Sequence, residues 1–261
     1  KVYQRLPMTF DIETSKIPTD NEGHYQAFMY LWQICLEGNV IFGRRWEQLQ
    51  WFMEQVVNAY KLSDEERVVI YVHNLSFEFQ FMQDFFRFTD VFAMASRSIL
   101  TAKTAHLEFR CSYKLSNMSL AKWIENTPNT IHYKGLGDLD YATVRTPDTT
   151  LTEVEYGYGF NDVKAPYECL MELLKEDNIA TIPLTSTGYV RRDCRKAMAK
   201  NRYNRQNFLR SKLTLEQYLL LRDCFRGGNT ASNRYLTNLI MKIVGSYDLS
   251  SSYPFQMIAR E

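Results

Sequence analysis

The sequence lacks the features of a membrane-spanning or secreted protein. No apolar run reaches the roughly 18 residues that a spanning helix needs. The first residues also contain no apolar signal-peptide core. We therefore expect a soluble cytoplasmic protein with no membrane partner.

Cysteine is scarce and scattered. The five cysteines form no C-x-x-C pair: Cys35, Cys111, Cys169, Cys194 and Cys224. This spacing argues against a zinc site and against a disulfide framework. We expect ordinary buried or half-buried thiols.

Net charge is nearly absent, at +1, but the charges are unevenly distributed. Nine basic residues lie between positions 191 and 212, where the only acid is Asp193. Tyr203 and Phe208 are interleaved with them. We call residues 191–212 the basic strip. Its composition is typical of contact with a phosphate backbone, and equally of a solvated helix face.

Two acids stand close together near the start of the chain, in Phe10-Asp11-Ile12-Glu13-Thr14. Alternate residues of a strand point to the same face, so Asp11 and Glu13 would project together while Phe10 and Ile12 enter the core. Adjacent carboxylates are costly unless a cation neutralises them, and oxygen ligands suit Mg²⁺ or Mn²⁺. Such pairs also arise by chance among 30 acids in 261 residues, so this interpretation needs further acids.

The first ninety residues alternate strand-like and helix-like patterns. β-Branched and aromatic runs predict strands at Met8 to Thr14, Tyr30 to Leu36, Val40 to Arg44 and Val68 to His73. Helical periodicity marks Trp46 to Tyr60 and Phe77 to Phe88. A further strand-rich stretch runs from Phe92 to Tyr113. The pattern predicts an α/β domain.

A second helical region follows. Thr152 and Glu155 form a capping box that predicts a helix from there to about Glu176. The turn-rich stretch 182–188 ends the first predicted domain, residues 1–182. The second, residues 183–261, should contain the basic helix, a helix opened by Thr214, a turn at 225–228 and a strand from Met241 to Asp248.

Three further residues extend the acid pair. Glu78 follows a predicted strand and opens a helix, and ligands often bind at such junctions in α/β folds. Tyr158 and Asp162 are four residues apart, and so lie on one helical face. Four acids and one tyrosine thus share a plausible site.

These motifs, in this order, resemble the three exonuclease motifs of family B DNA polymerases with a DEDDy proofreading domain. They read Asp11-x-Glu13, His73-Asn74-Leu75-x-Phe77-Glu78 and Tyr158-x-x-x-Asp162. Three more segments resemble the protein-primed branch of bacteriophages and linear plasmids: Lys134-Gly135 with Asp138-Leu139-Asp140-Tyr141, Phe225-Arg226-Gly227-Gly228, and Asp248 to Pro254.

The resemblance implies an RNase H-like exonuclease domain with a central mixed sheet flanked by helices, followed by an incomplete polymerase palm segment. It assigns two divalent ions, Mg²⁺ or Mn²⁺, to Asp11, Glu13, Glu78 and Asp162. Tyr158 would orient the attacking water, and Lys134 would offset charge on the phosphate. The reaction would remove mononucleotides from the 3′ end of DNA.

The resemblance also assigns residues to DNA. Those implied to hold the single-stranded 3′ end are Thr14, His73, Asn74, Phe77, Ser119, Leu120 and Tyr141. Each has a simpler alternative, such as core packing for Phe77 and Leu120 or a helix cap for Ser119. The motif Phe225-Arg226-Gly227-Gly228 would contact primer-template DNA, and a terminal priming protein is an implied partner.

The sequence departs from the family pattern in three places. The acid of the second motif is usually Asp and is Glu78 here, which puts full exonuclease activity in question. Phe225 replaces a tyrosine, and Leu136 and Gly137 are additional. Asp248 and Tyr253 match polymerase motif A, but no Asp-x-Asp follows, so the expected fragment would degrade DNA and not extend it.

Two alternatives remain open. The module is catalytically weak or inert and binds DNA or a priming protein, or it is a stand-alone RNase H-like nuclease for RNA or branched DNA. The second alternative leaves Phe225 to Gly228 and Asp248 to Pro254 unexplained.

Overall fold

A computed structural model describes residues 2–19, 24–134, 140, 143–224, 234–236, 239–242, 245, 247, 249 and 252–259. The strands in these residues are β1 (Val2–Tyr3), β2 (Met8–Pro18), β3 (Tyr25–Leu36), β4 (Asn39–Gly43), β5 (Glu66–Val72), β6 (Asp90–Ala93), β7 (Ile99–Lys103) and β8 (Leu107–Cys111). The helices are α1 (Trp46–Ala59), α2 (Leu75–Met82), α3 (Ser112–Ser116), α4 (Leu120–Glu125), α5 (Glu153–Glu176), α6 (Ser186–Ala199), α7 (Arg202–Arg210), α8 (Leu215–Cys224) and α9 (Ser252–Ala259).

One mixed sheet organises the first part of the chain. Its strand order is β4-β3-β2-β5-β8-β7-β6, and β1 pairs with β5. Strands β4, β3 and β2 are antiparallel, β2, β5 and β8 are parallel, and β7 and β6 extend β8 antiparallel. The predicted α/β class with a central mixed sheet is confirmed.

Helices cover both faces of the sheet. Phe10 and Ile12 of β2 contribute to the larger core, which also contains residues of α1 and α2 such as Leu49 and Leu75. On the other face, Val69 and Tyr71 of β5 pack with the end of α5 and the turn that follows it. The alternation along β2 therefore separates core residues from acids, as its sequence predicts.

The predicted capping box of α5 is present. Thr152 Oγ1 accepts from the Glu155 amide at 3.3 Å, and Glu155 Oε2 accepts from the Thr152 amide at 2.6 Å. The helix runs from Glu153 to Glu176. Thr9 Oγ1 donates to the Val163 carbonyl at 2.7 Å, which fixes α5 against β2.

Some predicted boundaries are wrong. Helix α2 covers Leu75–Met82 and does not extend to Phe88, because the chain turns after Met82 and the rings of Phe86 and Phe88 pack on Phe109. Of the strand predicted at 241–248, the structure describes residues 241, 242, 245 and 247, and none of them is in a strand.

Two compact units are present, residues 1–202 and residues 203–261. The predicted boundary at residue 182 precedes α6, which lies in the first unit. There, Arg192 of α6 pairs with Asp177 at 2.6 Å. The described helices of the second unit are most of α7, then α8 and α9, and α8 has no buried residue. No helix in the described part of the chain has the length and apolar character needed to cross a bilayer.

Candidate metal centre

Three carboxylates converge where α5 crosses β2. Asp11 and Glu13 project from β2 on the face that α5 covers, and Asp162 projects from α5. One oxygen from each lies within 4.8 Å of the others. Glu13 and Asp162 are buried, and Asp11 is half-buried. The pairing of β2 with β3 shifts register between Glu13 and Thr14, and such irregularities often aim side chains at functional sites.

Gln33 links the two acids of β2, a role that sequence reasoning missed. It pairs directly with Asp11 across the β2–β3 ladder and is 0% exposed. Its Nε2 donates to Asp11 Oδ2 at 3.0 Å and to Glu13 Oε1 at 3.3 Å. The signal was present in the sequence, because Gln33 is a lone amide in the otherwise apolar and aromatic run Tyr30 to Leu36.

Gly159 makes room for Gln33 under α5. A Cβ at this position would lie 3.2 Å from the Gln33 Cδ atom. Few Cβ contacts in proteins are so short, so a larger residue would displace the amide or the helix. The glycine therefore belongs to the packing that holds the carboxylates.

Glu78 lies beside the cluster and contacts Asp11. It is in the first turn of α2 and is 3% exposed. Asn74, with φ of 72°, turns the chain into this helix. The Glu78 carboxyl hydrogen-bonds the Asp11 carboxyl, whereas the group of three carboxylates within 4.8 Å does not include it. A hydrogen bond between two carboxyls requires a proton on one of them.

Burial raises the pKa values of all four acids. The pKa of Asp11 rises to about 7, through burial and then through the charge of Asp162. Burial, and then Asp11, raise the pKa values of Glu13 and Glu78 well above their ordinary range. Burial also raises the pKa of Asp162, against the opposing charge of Lys134. The cluster therefore retains protons near neutral pH unless cations replace them.

Lys134 supplies a positive charge at the edge of the cluster. Its Nζ donates to Asp162 Oδ2 at 3.2 Å and lies 5.7 Å from the centre of the Tyr158 ring. Burial lowers the pKa of Lys134, but Asp162 and the other carboxylates outweigh this effect and raise it. The lysine is charged at neutral pH. Tyr158 is buried on the same face of α5 as Asp162.

Glu168 anchors the segment that carries Lys134. Its Oε2 accepts the amides of Ile131 and His132 at 2.8 and 3.1 Å, and its Oε1 lies 2.6 Å from His132 Nδ1. The imidazole also contacts Phe160. Neither His132 nor Glu168 belongs to the motifs of the sequence, and only the structure brings them together.

The residues expected to hold DNA differ in their surroundings. Phe77 is 39% exposed and contacts Phe81. Asn74 is exposed, and Thr14 is half-buried. His73 is stacked on Trp123 and hydrogen-bonds Ser112, and burial lowers its pKa to about 4.

Two expected DNA contacts also have structural roles. Ser119 caps α4 by accepting from the Lys122 amide. Leu120 packs in the core with Trp123 and Ala165. The remaining expected residues lie outside the described part of the chain: Tyr141, Phe225, Arg226, Gly227, Gly228 and Asp248. Tyr253 lies in α9, and its side chain is likewise not described.

The fold and the position of the acids define an α/β domain with a mixed sheet and a cluster of carboxylates where β2 meets α5. Among solved structures, Phi29 DNA polymerase has this fold. Its complex with primer-template DNA and incoming nucleotide substrates matches with a TM-score of 0.62 and 19% identity. Its complex with single-stranded DNA matches with a TM-score of 0.64 and 17% identity.

Both matches cover 89% of this chain and 41% of the polymerase chain. The predicted resemblance to protein-primed family B polymerases is thereby confirmed at the level of the fold. No protein-family model and no curated protein matches the sequence.

Proposed function

We propose that this chain is a part of a protein-primed type DNA polymerase and carries a 3′-5′ exonuclease site. The substrate is the 3′ end of single-stranded DNA, and the bond broken is its terminal phosphodiester. The observation that carries the proposal is the convergence of Asp11, Glu13 and Asp162 within 4.8 Å. Lys134, whose Nζ donates a hydrogen bond to Asp162, adds the positive charge that a phosphate requires.

The donor set fits two divalent ions, Mg²⁺ or Mn²⁺. All the ligands are hard carboxylate oxygens, which these ions prefer. Asp162 Oδ1 and Glu78 Oε2 are buried and have no hydrogen-bond partner among the described residues. Asp11, Glu13, Asp162 and Glu78 would hold the ions. When bound, such ions lower the pKa of an attacking water and neutralise charge on a phosphate.

The chain's own groups have complementary roles. Tyr158 orients the attacking water by hydrogen bonding. Lys134 neutralises charge that develops on the phosphate, and the anchor at Glu168 keeps it near Asp162. Gln33 holds Asp11 and Glu13 in one arrangement, so that less reorganisation is needed when the ions bind.

The 3′ end would lie over Phe77, whose exposed ring can stack on an unpaired base. Thr14, His73, Asn74, Ser119 and Tyr141 would complete the contact. Leu120 is in the core, so its side chain is not available to DNA.

The rest of the chain would serve the parent polymerase. In residues 183–261, the turn at Phe225 to Gly228 would contact primer-template DNA. Asp248 and Tyr253 would belong to the palm. A terminal priming protein is a proposed partner of the parent enzyme.

A digestion assay tests the proposal. The chain should release 5′-mononucleotides from the 3′ end of single-stranded DNA with Mg²⁺ or Mn²⁺ and not with EDTA. Asp11→Ala/Glu13→Ala should abolish release while leaving the chain folded by circular dichroism. Persistent digestion by that variant would refute the assignment. Digestion of RNA in place of single-stranded DNA would instead support the alternative of a stand-alone RNase H-like nuclease.

A weak or inert binding module is the second candidate, and the position of Glu78 favours it. Its carboxyl is hydrogen-bonded to Asp11 and lies outside the group of three. In that case the wild-type chain would bind single strands, with affinity that falls steeply with salt, and release no nucleotide at any metal concentration.

A further inference from the structure

A groove of about 1190 Å³ lies in the first compact unit, away from the carboxylate cluster. Its floor is formed by β8, β7 and β6, and one wall by α6 and the turn before it. The register of the sheet places Arg110, Thr101 and Phe92 side by side, on the face that carries Thr9 and Tyr71. The groove therefore opens on the same sheet face as the carboxylates.

The charges on the floor are already neutralised. Glu108 accepts from the Tyr3 hydroxyl at 2.9 Å and from Arg110 at 2.8 Å. Arg110 also donates to the Ile179 carbonyl at 2.8 Å. Lys103 pairs with Asp90 at 2.5 Å. The floor thus presents no unmatched charge to a ligand.

The wall formed by α6 is different. One face of this helix lines the groove, and it carries four basic residues: Arg191, Arg192, Arg195 and Lys196. Arg192 is engaged by Asp177. Within the part of the chain that the structure describes, the other three side chains make no hydrogen bond or ion pair, and all three residues are exposed. The charge of Lys196 also helps to lower the pKa of Asp177, so Arg191 and Arg195 carry most of the unmatched positive charge on this wall.

The β6 edge of the floor is apolar and accessible. Phe92 is 52% exposed and Met94 is 67% exposed, although both line the groove. Flat or polarisable apolar side chains facing a row of cations are what a single nucleic-acid strand requires, because its bases stack while its phosphates pair with cations. An acidic peptide would use the basic wall and leave Phe92 and Met94 without a role.

We propose that this groove is a second DNA contact, in which a single strand lies with its phosphates on Arg191, Arg195 and Lys196 and its bases on Phe92. The contact is independent of sequence. The inference rests on the proposed function only in taking DNA as the ligand. It gives a role to the α6 part of the basic strip, because four basic residues of α6 line this groove.

Anisotropy of a fluorescent oligothymidylate tests the groove, with the whole chain in EDTA so that no hydrolysis occurs. Arg191→Ala/Arg195→Ala/Lys196→Ala should weaken binding about tenfold and reduce the slope of log K against log salt by about 2, since each lost phosphate contact contributes about 0.7. The matched control, Arg5→Ala/Lys61→Ala/Arg87→Ala, removes three exposed cations elsewhere in the same unit and should change the affinity less than twofold.

Phe92→Ala provides the second measurement. It should weaken binding about fivefold or more with an unchanged salt slope, because it removes stacking and no charge. Equal losses in the groove and control triples would overturn the proposal. So would wild-type affinity in Phe92→Ala combined with displacement of the oligonucleotide by polyglutamate, which would indicate an acidic protein ligand. Binding without hydrolysis would refute only the proposed exonuclease, and hydrolysis without groove binding only the groove.

Discussion

Glu78 is the acid at which this sequence departs from the second motif of the family it resembles. Its side chain is one methylene longer than the aspartate usual at this position in the family it resembles, and its carboxyl hydrogen-bonds Asp11. One Glu78 oxygen remains buried without a hydrogen-bond partner in the described residues. That oxygen is available to an ion or to an ion-bound water.

Two substitutions at Glu78 separate its roles. Glu78→Gln can still donate to Asp11 but cannot offer an anionic ligand, so its exonuclease rate should fall by roughly 100-fold. Glu78→Asp keeps the charge and should remain within roughly tenfold of wild type. Single-turnover digestion with saturating Mn²⁺ measures both rates. A Glu78→Gln chain as fast as wild type would show that Glu78 does not serve the ions.

Single residues also show what the sequence can and cannot reveal. Periodicity places Asp11 and Glu13 on one strand face and Asp162 on one helix face with Tyr158, whereas the grouping of these acids at one site was an expectation from the family resemblance. The sequence marks Gln33 as a lone amide in an apolar run but does not reveal its partners, because its partner strand and register follow from the folded sheet. Glu168 acts through backbone amides distant in sequence, and no side-chain motif marks such a contact.

At the scale of elements, α5 determines the geometry of the site. It carries Tyr158 and Asp162, and its end packs under Tyr71 of the central sheet. Two glycines near its start have different surroundings. Gly159 lies over Gln33, whereas a Cβ on Gly157 would meet nothing within 4 Å.

These glycines form a matched pair for mutation. Gly157→Ala should stabilise the chain by about 0.5–1 kcal/mol with unchanged exonuclease rate, because alanine favours the helix and nothing is displaced. Gly159→Ala gains the same helix propensity but displaces Gln33. Its stabilisation should be smaller and its rate lower. Denaturant unfolding and digestion measure the two effects, and identical behaviour of both variants would refute the packing role.

Whether a segment forms a helix or a strand could be predicted where the local sequence pattern determines it. The capping box fixes the start of α5, and alternation in β2 fixes its buried face. The end of α2 was not predictable, because Phe86 and Phe88 continue a helical pattern yet pack on Phe109 from a turn. Competition between local periodicity and tertiary packing is visible only in the fold.

At the scale of the whole molecule, the buried carboxylates lower the free energy of unfolding of the metal-free chain once they ionise. The carboxyl of Asp11 ionises near pH 4 in an unfolded chain and near 7 in the fold. Between these values the folded state holds more protons than the unfolded state. Stability of the metal-free chain therefore falls as the pH rises through this window.

Thermal unfolding in EDTA should show this fall between about pH 4 and 7, with the higher Tm on the acidic side. Mn²⁺ should raise the Tm most at pH 7 and above, since ions replace the protons. Asp11→Asn should flatten the pH dependence in EDTA. If wild type and Asp11→Asn had parallel profiles, the raised pKa of Asp11 would be wrong.

The same sheet face carries both proposed DNA contacts. The acids project from β2 and α5, whereas the basic side chains of α6 lie over β6 to β8. The packed residues Tyr71 and Ile179 separate these two regions. The sequence indicates the basic strip, but only the fold shows that its α6 part lines a groove. Placement of charge on a common face depends on strand order, which local patterns do not encode.

The most direct measurement of the central claim is the anomalous scattering from crystals soaked in Mn²⁺. The account predicts two peaks, both in contact with Asp11, Glu13 or Asp162, with Glu78 bound directly or through water. An absence of peaks among these carboxylates, at an Mn²⁺ concentration that raises the Tm, would contradict it.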